Sequence, residues 1–210
     1  MKKLLLVLCL FIIHTTHAQQ MPVELMAGQS YLNYLHNSQK QIDGTGKWGW
    51  THIANLMFRY QTNPENGGKT HEIMNQVYLT RRLGASWTLQ AGLFYSAATQ
   101  MKQSVALQYR RRSGVWSVVL SPRYDWGREQ SFELFGLLEV KPRLTGRIQL
   151  YTRLQFMTNH GAAGHNRSYE QLRLGWQVNH VQQGIGLTID QYGRSAASRY
   201  NYGIFVRKLL

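Results

Sequence analysis

The residues best equipped for chemistry in this 210-residue sequence are its histidines and its arginines. His160 and His165 flank an Ala-Gly stretch, with Asn159, Asn166 and Ser168 close by. A serine nucleophile needs a base and an orienting group within hydrogen-bond reach. One membrane-lipid hydrolase arrangement puts the histidine two residues before the serine; here the place two after His160 holds Ala162, and Ser168 follows His165 by three. No catalytic set emerges. Two histidines in a Gly-rich loop also fall short of the three or four ordered ligands of a zinc site, and His36, His52, His71 and His180 are scattered. The stretch ENGGK (65–69) lacks phosphate-loop spacing. The expectation is a protein with no catalytic residues, no cofactor and no metal.

Arginine is the better lead. The chain carries 24 Lys and Arg against 10 Asp and Glu, a net charge of +14. Arg59, Arg110, Arg123, Arg147, Arg153, Arg173 and Arg207 fall on the polar phase of alternating segments, with Asp125, Glu133, Glu139, Asp190, Tyr151 and Gln171. If that phase faces a lumen, two chemistries are open. Rings of charge confer solute selectivity on a pore, whereas Arg–carboxylate and Arg–Tyr bonds lace a lumen shut.

The elements that position these side chains are strands. Ile148, Leu150, Thr152, Leu154 and Phe156 alternate with Arg147, Gln149, Tyr151, Arg153 and Gln155, the two-residue period of a strand between an apolar and a polar phase. The pattern recurs in 86–97 and 169–178, with further strands expected at 50–61, 71–82, 102–111, 115–125, 130–141, 183–192 and 199–209. Each is about the 9–11 residues a tilted strand needs to cross a bilayer. Aromatics gather near the strand ends, including Trp50, Tyr60, Trp87, Tyr95, Trp116, Tyr124, Trp126 and Tyr202, as at a membrane interface. A soluble barrel would show the same alternation with the apolar phase inside.

The N-terminus points to export. Lys2 and Lys3 precede the apolar run 4–13, and Thr16-His17-Ala18 offers a cleavage site before Gln19, the layout of a secretory signal. Cys9 lies inside that run, so 19–210 holds no cysteine and no disulfide framework. No later segment has the roughly 18 apolar residues of a membrane helix. Residues 1–18 thus read as a cleaved signal and 19–210 as one domain. For an exported basic chain, nucleic acid is not the expected partner. Outer-membrane lipid and lipopolysaccharide, the barrel-assembly machinery and other envelope proteins are.

Short connections at 81–86, 112–114, 141–146 and 180–184, against longer ones at 62–70 and 158–167, match short periplasmic turns and longer external loops. This predicts an all-β, antiparallel transmembrane barrel with a polar, Arg-rich interior. Ten strands follow residue 49. Segment 24–36 is left over, as a plug or as an additional strand whose partner, not evident in the sequence, would bring the count to twelve.

The segments KWGWTHIANLMFRY (47–60), SPRYDW (121–126), ELFGLLEVKPRLTGRIQLYTRLQ (133–155), HNRSYEQLRLGW (165–176), LTIDQYG (187–193) and NYGIFVRKLL (201–210) resemble small Bacteroidetes-type outer-membrane β-barrels of undefined function. The last is similar to the terminal strand that the assembly machinery recognises, but ends in Leu210 where an aromatic is common; Phe205 stands nearby. The resemblance implies a Sec-exported barrel in a Gram-negative outer membrane and brings no activity. The expected role is a non-enzymatic structural or accessory barrel. A narrow channel for small anionic solutes is the alternative, and a lipid-modifying enzyme the third reading.

Overall fold

The computed structural model describes residues 21–61, 71–127 and 129–210. The signal segment 1–18 and the expected loop 62–70 lie outside the described residues. The described chain forms twelve strands: β1 (Pro22–Gly28), β2 (Tyr31–Gln41), β3 (Trp48–Arg59), β4 (Glu72–Arg82), β5 (Trp87–Ser96), β6 (Gln100–Ser113), β7 (Trp116–Trp126), β8 (Ser131–Val140), β9 (Ile148–Gly161), β10 (Gly164–Val178), β11 (Val181–Tyr192) and β12 (Ala197–Leu209). Each pairs antiparallel with its neighbours, and β1 pairs with β12, closing the ring. That seam runs from Pro22↔Leu209 to Gly28↔Gly203 and is extended by reciprocal backbone bonds between Met21 and Leu210. The barrel mouth at this point is the seam end; the opposite mouth is the far end.

Segment 24–36 is neither plug nor single strand. It is most of a hairpin, β1 and β2 joined by Gln29 and Ser30, and this brings the count to twelve. Pairing between its halves is short, from Val23↔His36 to Ala27↔Leu32, too brief for periodicity to mark two elements.

The connection at 158–167 also differs from expectation. β9 and β10 run on to Gly161 and Gly164, leaving only Ala162 and Ala163 between them. Gly164 holds a φ of 105°, a conformation few side chains tolerate, so glycine permits the tight reversal. The polar composition of this stretch reads as a loop because it belongs to a hairpin tip.

The alternation sorts outward and inward as a membrane requires. Leu150, Leu154, Leu174, Ile185, Ile204 and Val206 are exposed on the outer wall, while Tyr151, Arg153, Gln171, Arg173 and Gln182 are buried inside. A soluble barrel has the opposite polarity. With every strand paired on both sides, no backbone edge meets lipid. Exposed Trp48, Trp87, Trp116 and Trp176 circle the seam end, and Tyr60, Tyr124, Trp126, Phe132 and Tyr200 the far end, the aromatic girdles of a membrane barrel. The fold is a closed twelve-stranded transmembrane β-barrel.

One sector of the outer wall departs from this. On β2 to β4, Tyr34 Oη lies 2.9 Å from His36 Nδ1, His36 Nε2 lies 2.9 Å from His52 Nδ1, and His52 Nε2 lies 3.3 Å from Asn75 Oδ1. The chain of bonds uses all four ring nitrogens, which offsets much of the cost of polar groups facing lipid.

Candidate functional site

The lumen is where charge is concentrated, and its side chains come from strands far apart in sequence. Toward the far end, Arg167 from β10 reaches Asp190 on β11 at 2.7 Å and Glu72 on β4 at 2.9 Å. Arg59 pairs with the same Glu72. Tyr192 Oη donates to Glu72 and Tyr31 Oη to Asp190, each at 2.9 Å. Cations and aromatics also layer here, with the Arg167 guanidinium 4.9 Å from the Tyr192 ring centre.

Deeper in, Glu24 from β1 is gripped by Arg153 of β9 at 2.8 Å and Arg173 of β10 at 3.0 Å. All three side chains are at most 2 % exposed. Arg173 also donates to the carbonyls of Leu172 and Leu187. A Cβ at Gly186 would stand 3.0 Å from the Arg173 side chain, so the glycine makes room for the guanidinium. Met26, Tyr151 and Phe205 form a small apolar cluster at this level.

On the β6–β8 side, Arg123 bridges Asp125 at 2.9 Å and Glu133 at 2.8 Å, above the Phe94 ring at 4.5 Å. Asp125 also accepts from Ser104, and Glu133 from Asn159. Toward the seam end, Arg207 and Lys141 share Glu139, and Tyr151 Oη donates to that carboxylate at 3.1 Å. Arg207 in turn donates to Tyr151 Oη and to Gln182.

Of the residues assigned to the lumen from sequence, Arg59, Arg123, Asp125, Glu133, Glu139, Tyr151, Arg153, Arg173, Asp190 and Arg207 sit in these networks, and Gln171 is buried beside them. Arg110 lies at the open seam-end mouth, where its guanidinium reaches Gln39 at 3.4 Å. Arg147 is a correction. It is exposed in the turn before β9, because β9 begins one residue later and the alternation stops there. Reading the sequence missed Glu24, Tyr31, Glu72, Arg167 and Tyr192. Glu24 and Tyr31 lay in the unplaced segment and Arg167 in the supposed loop. An alternating reading of Glu24 and Met26 against Leu25 and Ala27 would have found the first.

The histidines at the far-end rim are brought together. His160 and His165 are cross-strand partners, with rings 5.3 Å apart. His165 Nδ1 is 2.7 Å from the Gly193 carbonyl and its Nε2 is 2.8 Å from Ser168 Oγ. A carbonyl only accepts, so Nδ1 carries a proton. The Ser168 hydroxyl donates to Thr158 Oγ1 at 2.9 Å, so its proton is not directed at the imidazole as a nucleophile's is toward its base. Ser168 is also held in the ladder between Thr158 and Gln191, so its backbone is committed to pairing. Among the described residues no three His, Cys, Asp or Glu side chains cluster as a metal site would.

The fold and the paired lumen define a class: closed, porin-like membrane barrels. The structure resembles that of the NanC porin, with a TM-score of 0.57 at 12 % identity, covering 90 % of this chain and all of the other. It is also similar to the KdgM porin (0.53, 9 %, 90 % and 98 % covered) and to LpxR from Salmonella typhimurium (0.50, 7 %, 91 % and 100 % covered). At these identities the likeness is one of fold. No protein-family model matches the sequence, and no curated sequence matches it either.

Proposed function

We propose that this chain is a non-enzymatic barrel of a Gram-negative outer membrane, of the small Bacteroidetes type, with a lumen shut by its own ion pairs. It is exported by the Sec route behind residues 1–18 and serves as a structural or accessory component of the envelope. Lipopolysaccharide and other envelope proteins are its partners, and the barrel-assembly machinery acts during biogenesis. The observation that carries the closed reading is the burial of Glu24, Arg153 and Arg173, each at 1 % exposure or less. Water that reached them would show as exposed guanidinium surface. Charge-assisted pairing of both arginines with the one carboxylate holds such an interior together.

Planar-bilayer recording of the refolded protein tests this. The expected trace is flat. Stable anion-selective openings, altered in Arg153→Glu, would sink the closed lumen and favour a narrow anion channel. That second reading has one observation behind it, the cluster of cations at the seam-end mouth. It is in keeping with the porin likeness, since one KdgM structure is described as a complex with disordered oligogalacturonate.

A further inference from the structure

Charge is unevenly spent in this lumen. The six inward carboxylates, Glu24, Glu72, Asp125, Glu133, Glu139 and Asp190, all pair with Arg or Lys. The mouth at the seam end, between β2 and β6, receives none of them. A cavity of about 690 Å³ opens there, lined in part by Lys40, Lys47, Arg82, Arg110, Arg111 and Arg112 and by no Asp or Glu. None of these six cations enters an ion pair among the described residues.

The register explains how they meet. Arg82 continues the inward phase of Gln76 and Tyr78 on β4, and Arg110 and Arg112 that of Lys102 and Ser104 on β6. Lys47 comes from the turn between β2 and β3. The nearby carboxylate of Asp43 is committed to its own turn, accepting from Thr45 Oγ1 and from the backbone N–H groups of Lys47 and Trp48. Neutral donors and acceptors, among them Gln90, Gln108 and Thr88, fill the wall between the cations. Further along the inward phase of β4, Tyr78 and Gln76 are both buried.

Like charges gathered in a concave, low-dielectric wall repel one another and focus a field on whatever enters. Arginine forks fit planar or tetrahedral oxyanions with two bonds each. We propose that this vestibule is a binding site for a small multivalent oxyanion, phosphate- or carboxylate-bearing, held by Arg82, Arg110 and Arg112 with Lys47 at the rim. The site goes beyond the closed-lumen reading and stands independently of it.

The test is isothermal titration of the full barrel in zwitterionic micelles with inorganic tripolyphosphate and, separately, with citrate. Saturable binding of either probe is expected, weakening at least tenfold between 50 mM and 500 mM salt. The triple variant Arg82→Gln, Arg110→Gln, Arg112→Gln should lose at least tenfold in affinity, while Arg147→Gln binds as the parent does. Tripolyphosphate alone binding marks the ligand as a phosphate; citrate alone marks it as a carboxylate. Should the triple variant fail to fold, phenylglyoxal labelling of the parent decides instead, with the probe expected to protect Arg110 and Arg112 but not Arg147 or Arg194. Absence of saturable binding, undiminished binding by a folded triple variant, or labelling indifferent to probe would overturn the proposal. Bilayer recording separates the two readings: openings with intact binding remove the closed lumen and leave the site.

Discussion

Replacing the Glu24 carboxylate by an amide would leave the guanidiniums of Arg153 and Arg173 buried with no negative charge between them. Breaking a buried pair from one side costs about 3–5 kcal/mol, since the uncompensated charge cannot reach water. Glu24→Gln should therefore lower the urea midpoint of the barrel in lipid vesicles clearly, as read by tryptophan fluorescence. Arg147→Gln is the matched control. Its side chain is exposed in a turn, and surface changes of that kind stay within about 0.5 kcal/mol. Equal midpoints for the two variants would mean that the Glu24 site is wet and its charges hydrated.

At the scale of the element, long alternating strands were legible and short ones were not. β9 gives five outward and five inward positions in a row, which one period explains. β1 gives seven residues in all, and its hairpin partner begins with only the turn residues Gln29 and Ser30 between, so the phase of two strands merged into one unplaced segment. The hairpin tip of β9 and β10 failed for a different reason. Polar residues there pair across the ladder at the rim, and composition cannot tell a wet strand end from a loop. Most of the lumen arginines were readable because strand parity fixes the face. Their partners were not, because pairing across a barrel is set by ring order. The turn from 42 to 47 yields a pH prediction. The hydrogen bond from Thr45, with those from Trp48 and Lys47, holds the Asp43 carboxyl below its ordinary value. A lowered folded value means the bonds contribute above the unfolded pKa and are lost as pH falls through the folded one. Protection of the Lys47 and Trp48 amides from exchange, taken relative to the intrinsic rate at each pH, should thus fall on acidification, and Asp43→Asn should remove most of that pH dependence. Protection that does not change with pH would mean the ladder alone orders the turn.

The molecule as a whole is an inside-out object: its apolar side chains face outward and its densest polar network lies at the centre. Stability is therefore divided between solvent and scaffold, with lipid supporting the wall and ion pairs the interior. Leu154 is exposed midway along β9 on the outer wall. Leu154→Arg should destabilise insertion by about 2–4 kcal/mol, the cost of arginine at the midplane of a barrel face. Folding yield into vesicles, scored by gel mobility without heating, measures it. A yield equal to the parent's would place this face at an interface or outside the bilayer.

The clasp on Glu24 has a further meaning for the seam. In ring order β10 and β9 lie beyond β12 and β11 from β1, so the two arginines hold the first strand by a chord that bypasses its hydrogen-bonded neighbour. A strand of another sequence could satisfy the backbone of β12 equally well, because ladders are blind to side chains. Without a carboxylate at that depth, two bare cations would oppose its entry. The seam thus distinguishes this strand from a stranger's by one buried acid.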